Sequence, residues 1–545
     1  MTSPTPPPLR WWGWGDRDTA IPPGLARLLS AELGAEMSRQ AAPPAQPPAL
    51  PPSALDGDAL LSELREVCGD DAVATDAESR LRHAAGRSYL DLLSLRGKRI
   101  ECAPDAVVSP ADEAQVAAIL RLCVRASCAV VPFGGGTSVV GGVSPLRGDH
   151  RAVIALLMRR LDRGIAVDPT SMTATLQAGM TGPQAESFLA GHGLTLGHFP
   201  QSFEYATLGG FAATRSAGQA SSGYGRFDEL VEGLRLVTPA GEVVVAGHPS
   251  TAAGPSIRQL VLGSEGRLGV ITELTLKVRR LPAQSRYEGW SFPTFADGVA
   301  ALRALAQGRI VPDVARLSDR EETRVGMAMA FRGDTIDKLG RRYLRLRGHH
   351  AGCLLIVGWD SDALIPGARQ AEAREVLRGH HGIRLGTSPG QSWLRQRFHG
   401  PYLRDSLLDA GVLVETLETA CSWATLPQLH HAVVASLRTA LSGAGTAALV
   451  GCHLSHIYPS GASLYFTALA AAEPDPGARW TAAKRSASEV ILDNGGTITH
   501  HHAIGTDHRP YLVREVGAEA VGTLQAMARD LDPTGIMNPG KLIPD

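Results

Sequence analysis

Three consecutive histidines, His500-His501-His502, follow the apolar residue Ile498 near the end of the chain and lead into Ala503-Ile504-Gly505. Imidazole titrates closest to neutrality, so such a cluster can accept and return protons or ligate a metal. A solvated turn or a fortuitous metal site is the plain alternative, but three imidazoles directly behind a strand-like segment point to a site. Tyr465 stands in an alternating Leu-Tyr-Phe segment, where a tyrosine ordinarily packs in a core. Arg316 and Arg404 carry the planar guanidinium fork that suits a phosphate or carboxylate, although surface ion pairing is the default role of such arginines.

Glycines suggest a second kind of chemistry. In Val130-Val131-Pro132-Phe133-Gly134-Gly135-Gly136-Thr137-Ser138 an apolar strand runs straight into three glycines and two hydroxyl residues. Such a loop can turn its N–H groups inward and let a diphosphate approach; a lone triplet would read as a tight turn. It lacks G-x-G-x-x-G at a helix start and the Gly-Lys-Ser/Thr of a Walker loop. Two similar loops accompany it: Thr207-Leu208-Gly209-Gly210-Phe211-Ala212-Ala213-Thr214-Arg215-Ser216-Ala217-Gly218 and Leu262-Gly263-Ser264-Glu265-Gly266-Arg267-Leu268-Gly269-Val270-Ile271.

These groups need a scaffold, and 545 residues with 44% apolar content allow two or three domains with a sizeable core. Strands are expected at residues 106–108, 129–132, 153–157, 165–167, 173–177 and 234–237, with helices at 112 to about 127 and at 182–190. The Trp11, Trp12 and Trp14 cluster reads as a docked arm, and Ala41 to Pro52 as a Pro/Ala linker unable to sustain helix or sheet. The divisions expected are an arm and linker over 1–55, a loop-bearing α+β unit over 56–282, a second unit over 283–490 and a tail over 491–545. With 53 basic against 54 acidic residues the formal charge is −1, which gives no field to recruit nucleic acid. The seven cysteines are odd in number and lack C-x-x-C or zinc-like spacing, so reduced thiols in a cytoplasmic protein are expected. No apolar run is long enough to span a membrane, which leaves room for peripheral membrane contact.

The order Gly-Gly-Gly-Thr-Ser, Gly-Gly and Gly-Ser-Glu-Gly-x-Leu-Gly-Val-Ile resembles the FAD-binding fold shared by vanillyl-alcohol oxidase, the D-lactate and glycolate dehydrogenases and alkyldihydroxyacetonephosphate synthase. The ending Asp532-Pro533-x-Gly535-Ile536-Met537-Asn538-Pro539-Gly540-Lys541 resembles the same group. The resemblance implies an α+β fold: a split FAD-binding domain followed by an α+β substrate, or cap, domain. It implies that Pro132, Phe133, Gly134, Gly135, Gly136, Thr137 and Ser138 wrap the FAD diphosphate. Gln201, Ser202, Phe203, Glu204, Tyr205, Ala206 and Thr207 would lie along the cofactor with Thr214, Arg215, Ser216 and Ala217. Glu265, Gly266, Arg267, Leu268, Gly269, Val270 and Ile271 would meet its adenosine end. Thr137-Ser138 stands where members that tether FAD often carry a histidine, so noncovalent FAD is expected.

Two members compete. The 2-hydroxy-acid dehydrogenases usually carry His-x-Gly-Asp-Gly-Asn-x-His and Glu-His-Gly-Ile-Gly segments that together ligate a metal. Here the first place reads His453-Leu454-Ser455-His456-Ile457-Tyr458-Pro459-Ser460-Gly461-Ala462-Ser463-Leu464-Tyr465-Phe466, and the second reads His500-His501-His502-Ala503-Ile504-Gly505. Both departures resemble the alkyldihydroxyacetonephosphate synthase family, although Ala503 replaces the usual glycine. Arg10-Trp11-Trp12-Gly13-Trp14-Gly15-Asp16, Val314-Ala315-Arg316-Leu317 and Tyr402-Leu403-Arg404-Asp405 also resemble that family. The resemblance implies exchange of an acyl chain for a fatty alcohol on dihydroxyacetone phosphate through a bond between flavin N5 and the substrate. Tyr465 would accept the substrate proton, its pKa lowered by imidazolium or guanidinium charge from His500, His501 and His502. Arg404 would bind the phosphate or departing carboxylate, Arg316 would be needed for activity, and no catalytic metal would be required. Hydroxy-acid oxidation is the alternative, and a noncatalytic FAD-binding subunit a third. The expected partners are a small lipid or hydroxy-acid substrate and a second copy in a homodimer, with no nucleic acid.

Overall fold

The computed structural model describes residues 9–15, 18–34, 44–330, 342–350, 352–361, 367–443, 446–472 and 474–544. Asp16 of the arm motif and residues 41–43 of the Pro/Ala stretch lie outside them. The fold is α+β, built on three larger sheets. The first joins β1 (Val73–Ala74), β2 (Ala106–Val108), β3 (Cys128–Phe133) and β4 (Ala152–Leu157) in the order β1-β2-β4-β3, with β2 and β3 both parallel to β4. The helix Glu113–Ala126 makes the crossover from β2 to β3. Asp112 caps it by accepting from Gln115 N at 2.9 Å, Val116, Ile119, Leu120 and Cys123 form its buried stripe, and Ser127 ends it at φ 48°.

The second sheet is antiparallel, with order β5-β6-β10-β8-β9: β5 (Gly164–Asp168), β6 (Thr173–Gln177), β8 (Val231–Thr238), β9 (Gly241–Val245) and β10 (Val270–Lys277). The helix Gly182–Ala190 falls where the sequence predicts it. A two-stranded pairing of β7 (Leu194–Thr195) with β11 (Arg279–Arg280) closes this half.

The third sheet has seven antiparallel strands in the order β15-β12-β14-β13-β17-β18-β16: β12 (Gln284–Phe292), β13 (Val314–Ser318), β14 (Cys353–Ser361), β15 (Ile383–Gly386), β16 (Val412–Ser422), β17 (Leu449–Ile457) and β18 (Gly461–Ala471). Helices Phe295–Gln307, Leu426–Leu441 and Pro476–Asp493 bury their apolar stripes on one face. Along β18 the period of two is clean. Ala462, Leu464, Phe466, Ala468 and Ala470 enter that core, while Tyr465, Thr467 and Leu469 face a cavity on the other side.

The arm contains a helix that was not foreseen, Pro23–Leu33, started by prolines and ended by Gly34 at φ 62°. It packs Leu25, Leu29 and Leu33 against Val412, Val414, Leu449 and Leu469. The preceding turn is held by buried Arg87, which donates to the carbonyls of Gly13 and Arg10 at 3.0 and 2.9 Å. Trp14 packs edge-on against Tyr205, with ring centroids 5.6 Å apart. The Pro/Ala stretch also departs from expectation by one rung of sheet. Ala49 donates to Lys98 O at 2.9 Å and accepts from Ile100 N at 3.1 Å, a pairing open to it because its N–H survives among the prolines.

Candidate active site

A cavity of about 2020 Å³ lies between the glycine loops and the open face of the seven-stranded sheet. That exceeds the usual ~300–1,000 Å³ of a pocket for one drug-sized ligand.

One wall is main chain. Residues 134–138 leave the end of β3 and run along the cavity. A Cβ on Gly135 would stand 2.2 Å from the Tyr205 carbonyl oxygen, and one on Gly134 would stand 2.3 Å from Thr207 Oγ1. The first loop therefore packs on the second at a separation only glycine permits. Among the described residues, the N–H groups of 134–139 have no protein acceptor. Unpaired donors beside a large cavity fit a diphosphate, so the residues present suit a dinucleotide such as FAD.

Of the residues expected along the cofactor, Pro132, Phe133, Gly134, Gly135, Gly136, Thr137, Ser138, Gln201, Ser202, Ala206, Thr207, Thr214, Ser216, Ala217, Glu265, Gly266, Gly269, Val270 and Ile271 line the cavity. Six others do not. Phe203 stacks on Phe398 and Glu204 accepts from the Tyr402 hydroxyl at 3.2 Å. Tyr205 packs with Trp14 and Tyr402. Arg215 donates to the carbonyls of Leu262 and Gln259, and Arg267 faces Asp532 at 3.5 Å and Met537 O at 3.2 Å. Leu268 is buried in the core. These six brace the loops from behind. Glu265 also braces: its carboxylate accepts from Ile504 N and Gly505 N at 2.8 and 2.7 Å, and Asn538 donates to its carbonyl at 2.6 Å. The third loop thus holds both the turn after the histidines and the C-terminal motif. Burial pushes the Glu265 carboxyl up to about 7.

The opposite wall is side chains. Cross-strand register places Glu418, Tyr465 and His453 side by side on β16, β18 and β17. The Tyr465 ring stacks between His453 and His501, with centroids 4.8 and 5.9 Å away, and its hydroxyl donates to Thr416 Oγ1 at 3.0 Å. Arg316 lines the cavity, but its guanidinium is committed to Glu322 at 2.6 Å and His453 Nε2 at 3.0 Å. His453 Nδ1 then donates to Glu322 Oε1 at 2.9 Å. Burial works against the charge on Glu322, yet His453 and Arg316 hold it down to about 2.

Glu418 anchors the histidine run. Its fully buried carboxylate accepts from the Thr499 hydroxyl at 2.5 Å and from the backbone N–H groups of His500, His501 and His502 at 2.7, 3.1 and 2.9 Å. His501 and His502 line the cavity; His500 stands behind them. Burial pushes His502 down to about 3 and lowers His500 and His501 as well. Burial also pushes the Tyr465 phenol up to about 12. This corrects the expectation of imidazolium charges lowering the tyrosine: in a buried cluster desolvation outweighs mutual polarisation, so the imidazoles are neutral and the phenol keeps its proton.

Arg404 lines the same cavity. One nitrogen donates to Arg87 O at 2.8 Å, while Nε and Nη2 are buried with no hydrogen-bond partner among the described residues. Glu418, Glu322, His453, His456 and Thr416 were not anticipated as part of the site. The available signal for Glu418 was an acid inside the apolar run of β16.

Family models match two parts of the chain: an FAD binding domain over residues 104–247 and the C-terminal domain of FAD linked oxidases over residues 281–542. An alkyldihydroxyacetonephosphate synthase of Trypanosoma brucei brucei is 34% identical over 493 residues, 89% of this chain and 80% of that protein. A mitochondrial D-lactate dehydrogenase (cytochrome) of Arabidopsis thaliana is 26% identical over 492 residues, 89% of this chain and 80% of its own. A solved structure of an alkyldihydroxyacetonephosphate synthase superposes with a TM-score of 0.83 at 28% identity, covering 98% of this chain and 99% of that one.

Proposed function

Because this chain belongs to the alkyldihydroxyacetonephosphate synthase family, we propose that it replaces the acyl chain of acyl-dihydroxyacetone phosphate with a fatty alcohol. FAD is its cofactor, and we take it to be held noncovalently, since Thr137 and Ser138 offer no ring nitrogen for a tether. The observation that carries this reading is the single cavity with a glycine wall on one side and Tyr465, His501, His502 and Arg404 on the other. The same reading assigns FAD binding to residues 56–282, the substrate side to 283–490 and the returning site segment to 491–545.

The flavin, when bound, supplies a ring that can take up and return an electron pair at the reacting carbon. The substrate carbon must also lose and regain a proton. Neutral His501 receives it at Nε2, since Nδ1 faces His500. Tyr465, protonated at neutral pH, lies against His501, and its O–H turns from Thr416 Oγ1 to donate to the oxygen of the reacting carbon when substrate is bound. Arg404 offers two unpaired N–H directions to the phosphate or the departing carboxylate. Arg316 does not reach the substrate; it fixes the His453 ring under Tyr465. Against the dehydrogenase alternative stands the absence of a carboxylate at His501, where that group's metal ligand would be.

Among the described residues no helix is long and apolar enough to cross a membrane. Met327 and Met329 line the cavity and are also 43% and 40% exposed, and we assign them to peripheral contact with the lipid phase that delivers the substrates. A homodimer and a cytoplasmic location complete the proposal. Anaerobic mixing with palmitoyl-dihydroxyacetone phosphate should bleach the flavin and release palmitate, and D-lactate should do neither; net reduction by D-lactate would replace this reading with the dehydrogenase.

A further inference from the structure

We propose that Tyr458, His500 and His501 form a proton relay from the buried reacting carbon to water at the exposed turn between β17 and β18. The inference rests on the function proposed above, which requires a substrate C–H proton to leave a cavity that a long lipid chain would occupy.

The geometry is a continuous line. His501 faces the cavity, and its Nδ1 lies 3.0 Å from His500 Nδ1. His500 Nε2 lies 2.7 Å from the Tyr458 hydroxyl. Tyr458 is partly exposed and is followed by exposed Pro459 and Ser460. The turn holding it is pinned by the Trp423 indole N–H, which donates to Tyr458 O at 3.0 Å, and by Tyr458 N, which donates to Gly461 O at 2.8 Å.

One tautomer pattern satisfies every link. His501 carries its hydrogen on Nδ1 and donates it to His500 Nδ1, and His500 carries its hydrogen on Nε2 and donates it to the Tyr458 oxygen. The Tyr458 oxygen accepts from His500, which leaves its own O–H to be passed outward. When His501 Nε2 takes the substrate proton, the Nδ1 hydrogen passes to His500, the His500 Nε2 hydrogen to Tyr458, and the Tyr458 hydrogen to water. One proton enters and one leaves, with no net charge left behind.

The neighbours that face this line do not offer a better exit. Glu418 Oε2 is 3.4 Å from His501 Nδ1, but its carboxylate is fully buried and already accepts four hydrogen bonds, so a proton placed there has nowhere to go. His456 stacks on His500 with centroids 5.0 Å apart, and its Nδ1 is engaged by Ser221 Oγ at 2.5 Å. His502 lies on the other side of His501, with Nδ1 3.9 Å from Glu418.

The test uses FAD-loaded enzyme and palmitoyl-dihydroxyacetone phosphate deuterated at the carbon that bears the acyl oxygen. Washout of deuterium into water and release of palmitate are followed together. Tyr458→Phe keeps the ring and removes the relay oxygen; it should slow washout at least about tenfold while flavin content and melting temperature stay at wild-type values. Tyr458→His restores an ionisable group and should recover part of the washout rate. Washout at the wild-type rate in Tyr458→Phe, or no recovery in Tyr458→His, would overturn the relay. A wild-type enzyme that binds FAD but leaves this substrate untouched would overturn the functional reading, and the relay with it.

Discussion

The two walls of the cavity hold their groups by different means. On the glycine wall the contacts are main chain to main chain: residues 134–135 lie against residues 205–207 with no room for a side chain, and the N–H groups are presented by backbone alone. On the opposite wall the imidazoles are held by carboxylates, partly buried Glu322 for His453 and fully buried Glu418 for the histidine run. A wall made of backbone fails sterically and all at once. A wall made of buried ion networks fails through charge, by degrees, and changes its titration as it does so.

The sharpest break in the comparison is steric. Gly135→Val would drive a branched side chain into the Tyr205 carbonyl, and overpacking of this kind costs about 1–3 kcal/mol or more. Because the loop must move to relieve it, the expected outcome is apoprotein: purified variant should lack the visible flavin absorbance and regain little on incubation with FAD. A fully loaded variant would mean that the close loop packing is not what presents the N–H groups.

Next in size is Tyr465→Phe. Its core-side neighbours Leu464 and Phe466 are untouched by the change, so folding and flavin content should persist. Turnover should fall by about 10²–10³, the usual cost of removing one hydrogen-bond donor aimed at the reacting oxygen. Near-normal activity with palmitoyl-dihydroxyacetone phosphate would reduce Tyr465 to a packing residue between two imidazoles.

Glu418→Gln addresses the charge-held wall more gently. The amide keeps one acceptor oxygen for the four donors and turns an N–H₂ toward the others, so the histidine run should loosen and turnover fall about tenfold to a hundredfold. The pH profile separates positioning from mere disorder. His501 must be neutral to accept a proton, so activity is lost as pH falls through its burial-lowered pKa; Glu418 partly opposes that lowering by stabilising imidazolium. Removing the charge should move the acid limb of kcat/KM to still lower pH. An unmoved limb would show that Glu418 acts through shape alone.

The contrast between the walls also explains what could be read in advance. The glycine wall is written locally: Val130 to Ser138 is one strand and its loop, and the helix before it shows its cap, its stripe and its end within residues 112–127. Tyr465 was readable in part, because a strict alternation places it opposite to Leu464 and Phe466. Glu418 was not, since the donors to its carboxylate begin 81 residues away and nothing around it in sequence names them. The protonation states failed for a related reason. Sequence gives the imidazoles but not their burial, and burial decides whether they carry charge. The arm helix was hidden among prolines, although Pro23 and Gly34 are its start and stop signals.

The smallest expected effect is no effect, and it bears on the same wall. Ring nitrogens of His456, His500 and His501 come within 4.8 Å of one another, a spacing that could accommodate a metal ion. Their nitrogens already have partners: His456 Nδ1 meets Ser221 Oγ at 2.5 Å, His500 Nε2 meets the Tyr458 hydroxyl at 2.7 Å, and His500 Nδ1 meets His501 Nδ1 at 3.0 Å. An ion seated among them would have to break the imidazole–imidazole bond and take up the lone pairs proposed here to move a proton. Prolonged chelation should therefore leave turnover unchanged, and added zinc should inhibit rather than activate. Activity lost to chelation and restored by zinc or manganese would mean that this wall works by Lewis-acid chemistry, with the histidines as ligands.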